Sequence, residues 1–208
     1  MEEILSHNGQ SLKNYPPMPI PNIHDDVVVH NQLINDELNY DNKTLATELN
    51  ELEIGLNTDQ RKPYLAILNS CEKQLGDLFF VYGGVGTGKT FLWRTLITRL
   101  RSEKKIVLAI ALLGFASLLL PGGRIAQSKF KIPIDITEFS TCTIKRQSNL
   151  ANLIHRTSLI IWDEAPMTIR YAFDAVERTF RDLSAHDPSN SFTHLSFGGK
   201  TVVLGGDF

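Results

Sequence analysis

Apolar positions fall into two regimes along the chain. Before residue 56 they are sparse and set in polar text. Leu33, Ile34, Leu38, Leu45, Leu49 and Leu52 recur at roughly helical intervals within NQLINDELNYDNKTLATELNELEI. That spacing predicts one or two polar helices, marginal in isolation. From Leu56 onward, short apolar runs alternate with amphipathic stretches. Strands are predicted at 78–82 (LFFVY), 106–111 (IVLAIA), 158–162 (SLIIW) and 200–204 (KTVVL). Helices are predicted over about 58–74, from the glycine loop after the first strand to about Leu100, around 147–155, and over 168–183. Asn57-Thr58-Asp59 offers N-cap chemistry for the first of these, and Pro63 falls in its opening turns. Gly and Pro punctuate the segment 114–133. Strands separated by helices imply βαβ units, hence an α/β fold with a mainly parallel sheet covered on both faces.

Composition narrows the function classes. Of 208 residues, 42% are hydrophobic and 21% charged, the balance of a globular chain. Cys71 and Cys142 are the only cysteines, too few for a disulfide framework or a cysteine-rich zinc site. The start, MEEIL, is acidic and lacks the apolar stretch of a signal peptide. The longest uncharged apolar run, Ile106 to Leu120, has fifteen residues, against about twenty for a membrane span. It reads as a buried strand followed by a buried helical turn. The net charge of −2 hides an asymmetry. Residues 1–56 hold ten Asp/Glu and two Lys/Arg, whereas residues 57–208 hold thirteen and nineteen. An acidic leader therefore precedes a basic body, which points mildly to a polyanionic partner. Four prolines within residues 16–21 predict an extended arm at the start of that leader.

Three motifs carry chemistry. Gly83-Gly84-Val85-Gly86-Thr87-Gly88-Lys89-Thr90 fits G-x-x-x-x-G-K-[ST] and lies between a predicted strand and a predicted helix. Such a loop holds phosphate with backbone N–H groups and the helix dipole. Lys89 is expected to reach the β- and γ-phosphates of a nucleotide and Thr90 to ligate Mg²⁺. Asp163 and Glu164 end the apolar run LIIW, 73 residues beyond Thr90. In phosphate-loop NTPases an Asp at such a strand end holds Mg²⁺, and a neighbouring Glu can polarise the attacking water. The third motif, Leu204-Gly205-Gly206-Asp207-Phe208, brings two glycines and a carboxylate to a strand end. Read alone it is a strand followed by a glycine turn. In an open parallel sheet it reaches the ligand-binding edge. Gln60, about twenty residues before the loop, can offer both a donor and an acceptor to an adenine edge.

These motifs, with LNTDQR upstream and LLLPGGRIAQSKFKIPI between them, resemble the PIF (petite integration frequency) type of ATP-dependent DNA helicase. The likeness is greatest to the plant and Helitron-transposon branch of that superfamily-one group, and extends to PPMPIPN and NQLINDELNYD in the leader. The resemblance implies a RecA-like motor domain over residues 56–208 preceded by a 1–55 extension. It also implies Mg²⁺-ATP hydrolysis, 5′-to-3′ movement on single-stranded or forked DNA, a role in repair, recombination or telomere maintenance, and a nuclear location. By position, Gln60 would contact adenine, Lys89 and Thr90 the phosphates and metal, Asp163 the Mg²⁺ and Glu164 the water, with Asp207 beside the nucleotide.

DNA contacts are expected from the cluster Arg124, Lys129 and Lys131, with Phe115 or Phe130 stacking on bases. Two departures bear on this. Leu112 and Leu113 stand where the family has small hydroxyl residues, and leucine cannot hydrogen-bond a DNA phosphate. Gln127 stands where a His is common. In the family the pattern continues past the GGDF motif into an Arg-Gln pair and a second RecA-like domain. The expectation for residues 1–208 taken alone is therefore nucleotide binding with poor turnover and no unwinding. Two alternatives remain open: a nucleotide- or DNA-binding protein without turnover, and an unrelated phosphate-loop ATPase.

Overall fold

The computed structural model describes residues 31–84, 86–185 and 195–207. The proline-rich arm, Val85 of the glycine loop and Phe208 lie outside them. From Asn31 onward the chain forms one compact unit. Two helices come first, α1 (Gln32–Leu38) and α2 (Asn42–Gly55), each capped by the side chain of the residue before it, Asn31 and Asp41. There follow α3 (Thr58–Lys73), β1 (Leu78–Tyr82), α4 (Lys89–Ser102), β2 (Ile106–Ala111), α5 (Gly114–Leu118), β3 (Arg124–Ile125) and α6 (Ala126–Phe130). Then come α7 (Asn149–Arg156), β4 (Thr157–Asp163), α8 (Arg170–Ala185) and β5 (Thr201–Gly206). Short 3₁₀ turns at Ala165–Met167 and Ser196–Gly199 flank α8.

Among the described residues all strand pairs are parallel, in the order β1-β5-β4-β2-β3. The inner strands β2, β4 and β5 are almost wholly buried. That is why they read as apolar runs: a parallel sheet covered by helices on both faces has no polar side to advertise. One core packs Leu108, Ile110, Ile160, Trp162 and Val202 against Phe130, Leu153, Ile154, Val176 and Phe180 of α6, α7 and α8. The other packs Val107, Ala109, Leu159, Ile161 and Val203 against Ile67, Leu92, Trp93, Leu96 and Leu100 of α3 and α4. The predicted α/β architecture is present, with a fifth strand, β3, inside the segment read only as rich in Gly and Pro.

The leader helices are not a separate layer. Ile34 of α1 enters the first core, and Leu49 and Leu52 of α2 are buried. Polar contacts fasten them further. Arg94 and Arg99 of α4 pair with Glu48 and Glu53 of α2, the latter pair at 3.2 Å. Glu37 of α1 pairs with Arg101 of α4 at 3.3 Å and with Lys129 of α6 at 3.2 Å. The packing is continuous across residue 55.

The structure corrects the expectation for Phe130. Its ring is fully buried, 5.2 Å from Phe180 edge-on and 6.2 Å from Trp162, so it cannot stack on a base. One turn of helix points it inward while Lys129 and Lys131 stay nearer the surface. Phe130→Ala should cost about 3–5 kcal/mol of folding stability, the range for emptying an aromatic core position. Urea unfolding of the variant beside wild type checks this. A loss below 1 kcal/mol would contradict the burial.

Candidate functional site

Parallel strands bring their C-terminal ends to one edge, and β5 lies between β1 and β4. Tyr82 at the end of β1 is in register with Gly206, and Trp162, one residue before Asp163, with Leu204. The glycine loop, the two carboxylates and the double glycine therefore share one corner of the sheet.

The loop leaves β1 at Gly83, whose N–H donates to the Gly206 carbonyl at 3.2 Å. Gly86 and Gly88 adopt φ of +83° and +84°, a region L side chains avoid. No atom stands within 4 Å of where a Cβ would sit on Gly84 or Gly86, so that part of the loop faces open space. The ammonium of Lys89, at the first turn of α4, donates to the carbonyls of Gly83 and Gly84. The Thr87 hydroxyl donates to the Gly84 carbonyl at 2.8 Å. Thr90 is exposed beside the loop. A cation and the start of a fourteen-residue helix thus border the open part of the loop, features that suit phosphate binding.

Asp163 is the last residue of β4 and is buried. Its Oδ1 accepts a hydrogen bond from the Trp93 indole N–H at 3.0 Å. Glu164 is half-buried with φ of +52°. The strand has ended there, so the two adjacent carboxylates are released from the alternation that would set them on opposite faces. Gly205 and Gly206 are buried where space is shortest. A Cβ on Gly205 would come within 2.5 Å of Trp93 Cζ2 and 3.1 Å of Asp163 Oδ1, and one on Gly206 would strike Pro166. Asp207 is exposed just beyond.

Gln60 is already engaged. Asn57 caps α3 by accepting from the Gln60 N–H at 2.9 Å, and Gln60 Oε1 accepts from the Asn57 N–H at 3.1 Å, a reciprocal capping box. Its Nε2 donates to the Gly88 carbonyl at 3.1 Å and the Thr87 carbonyl at 3.4 Å. Sequence reasoning gave Gln60 a base-contacting role and missed this tie between α3 and the loop. It also missed Trp93, although the position four residues after Lys89 in the same helix was a usable signal.

The expected DNA residues divide. Phe115 on α5 and Arg124 and Lys131 are exposed. Lys129 is half-buried and paired with Glu37. Arg124, Lys129 and Lys131 line a cavity of about 770 Å³ with Ser117, Ser128 and residues of α1. Leu112 is half-buried and Leu113 exposed. Burial pushes the thiols of Cys71 and Cys142 up to about 11, so both stay protonated and unreactive at neutral pH. Among the described residues no three His, Cys, Asp or Glu side chains cluster to hold a metal. No helix among them is long and apolar enough to cross a membrane.

The model of the PIF1-like helicase family matches residues 55–208. The ATP-dependent DNA helicase PIF4 of Trypanosoma brucei brucei is 27% identical over 161 residues, covering 74% of this chain and 18% of that protein. The ATP-dependent DNA helicase PIF1 of the same organism is 30% identical over 155 residues, covering 74% of this chain and 14% of that protein. The chain thus spans less than a fifth of these curated relatives. Among solved structures, the Bacteroides Pif1 helicase in complex with ADP-AlF3 and ssDNA superposes with a TM-score of 0.57 at 26% identity. That match covers 73% of this chain and 32% of the other.

Two substitutions separate the jobs of Gln60. Gln60→Ala removes cap and loop tether together and should lower stability by about 1 kcal/mol. Gln60→Glu keeps the capping acceptor but loses the Nε2 donor, and should stay near wild type in stability. Both should speed hydrogen exchange in peptides spanning Thr87 and Gly88. Thermal unfolding with exchange mass spectrometry reads both effects, and unaltered loop protection in Gln60→Ala would contradict the tether.

Proposed function

The chain belongs to the PIF1-like helicase family, and we propose that it forms the nucleotide-binding motor domain of an ATP-dependent DNA helicase moving 5′ to 3′ on single-stranded or forked DNA. One observation carries the reading: the open glycine loop with Lys89, the buried Asp163 beside Glu164, and the crowded Gly205-Gly206 meet at one corner of the sheet.

The loop N–H groups and Lys89 bind the phosphates. At rest the Lys89 ammonium is satisfied by loop carbonyls, so no buried charge is left bare before nucleotide arrives. Thr90 and Asp163 would hold Mg²⁺, which supplies charge neutralisation at the phosphoryl oxygens. The donor set fits that ion. Magnesium commonly takes one or two protein oxygens and completes its shell with phosphate and water, so a cluster of three acidic groups is not needed. Glu164 takes a proton from the attacking water. Gln60 would meet the base, its amide N–H exchanging loop carbonyls for an adenine edge.

Phe115, Arg124 and Lys131 face the DNA in this proposal. The Bacteroides relative bound to ADP-AlF3 and ssDNA supports the pairing of nucleotide with single-stranded DNA. Roles in repair, recombination or telomere maintenance, a nuclear site of action and the plant and Helitron branch rest on the sequence resemblance. The leucines at 112 and 113 favour a second reading, nucleotide binding with weak coupling to DNA.

Calorimetry should show ATP·Mg²⁺ binding to wild type and a loss of at least about tenfold in Lys89→Ala, which removes a charge-assisted contact. Equal affinity in the folded variant would refute the nucleotide site. Single-strand affinity should fall steeply with salt. Replacing Arg124 and Lys131 together by Ser should reduce the log–log slope by about 1.4, two counterions' worth for a single strand. An unchanged slope would remove these residues from the DNA surface.

A further inference from the structure

We propose that Trp93 is a positioning residue for Asp163: its indole N–H holds Oδ1 of the carboxylate and so directs Oδ2 towards the metal side of the site. This rests on the nucleotide reading above and adds to it a role for a residue outside the G-x-x-x-x-G-K-[ST], carboxylate and double-glycine motifs.

Trp93 is fully buried and Asp163 nearly so, and their hydrogen bond is 3.0 Å long. An indole N–H only donates, and it stays protonated throughout the pH range of the protein. A carboxylate bonded to it has one oxygen committed and one left for other work. The bond is charge-assisted and lies in a dry environment, where it is strong and directional. Gly205 completes the arrangement, since a Cβ there would press on both Trp93 Cζ2 and Asp163 Oδ1. Trp93 also sits four residues beyond Lys89 on α4. Residues four apart share a helix face. The helix that presents Lys89 and Thr90 to phosphate and metal therefore also carries the donor that orients Asp163. Phosphate grip and carboxylate orientation are built on one rigid element.

Trp162 supplies an internal contrast. It precedes Asp163 directly, yet its indole N–H has no acceptor among the described residues, and its ring packs against Phe173 at 4.5 Å. The chain has two tryptophans, Trp93 and Trp162, so the two indole protons report separately.

The test uses the full 208-residue chain with ADP as probe, titrated with Mg²⁺ and again in EDTA. In Trp93→Phe the affinity in EDTA should match wild type, while the gain conferred by Mg²⁺ should shrink about tenfold, the worth of a hydrogen bond to a charged group. Equal loss in both buffers would mean a packing role only, and an undiminished Mg²⁺ gain would mean no role; either overturns the proposal. Should the variant fail to fold, wild type labelled with ¹⁵N at the indole nitrogens decides. One indole resonance should move when Mg²⁺ is added to the ADP-loaded protein, and Asp163→Asn should displace that same resonance in the free protein. If neither indole responds to Mg²⁺, the proposal falls. A wild type that binds no ADP in either buffer would show a different pattern, refuting the nucleotide reading and this proposal with it.

Discussion

β5 runs between the strand that feeds the glycine loop and the strand that ends in Asp163, so whatever ends β5 stands between the loop and that carboxylate. Any side chain at its last two positions would meet Trp93, Asp163 or Pro166. The glycines are thus needed for what must pass over them rather than for backbone freedom. With them in place, the Trp93 indole reaches Asp163 and the Gly206 carbonyl receives the Gly83 N–H. Three segments far apart in sequence converge at one corner because a single strand end is bare.

The loop is not slack before a ligand arrives. Lys89, Thr87 and Gln60 all donate to loop carbonyls. Groups that would meet phosphate or base are thereby hydrogen-bonded at rest, which spares the cost of buried unpaired donors. In the proposed complex, binding would exchange one set of partners for another. Part of the intrinsic strength of each new contact is offset by the contact it replaces. In the proposed nucleotide site, a ligand that supplies new acceptors to these donors would offset the contacts it displaces.

Much of this was legible in the sequence, and what was not has identifiable causes. β2 was read to the residue because a buried parallel strand is an unbroken apolar run. β1 was legible from its aromatic and β-branched residues alone, since at the sheet edge it leaves Leu78, Phe80 and Tyr82 exposed. The motif residues of the corner were legible because each needs a particular residue type at a strand end. β3 escaped because Arg124 and Ile125 are both exposed and pair only with the end of β2. Phe130 misled because an aromatic between two lysines is also the pattern of a nucleic-acid contact. Only the tertiary arrangement shows that α6 turns the ring onto Trp162 and Phe180. Trp93 escaped for a related reason. A tryptophan on the inner face of a helix reads as core, and its N–H partner comes from a strand seventy residues away.

The acidic leader also takes a different meaning once its partners are known. Read as charge it was one half of an asymmetry that hinted at a polyanion-binding body. In the fold, Glu37 divides its carboxylate between Arg101, whose side chain is 3% exposed, and Lys129. The Arg101 guanidinium also donates to the Pro121 carbonyl at 2.9 Å and lies 4.3 Å from the Tyr40 ring centroid. A buried pair of this kind contributes little net stability but is costly to break on one side, so it selects one way of docking. It joins the leader, the C-terminal turn of α4 and the loop between α5 and β3. One consequence concerns the basic surface. Lys129 is half-buried and held by Glu37, a single carboxylate that it shares with Arg101, so along this segment Arg124 and Lys131 are the cations whose side chains remain at the surface.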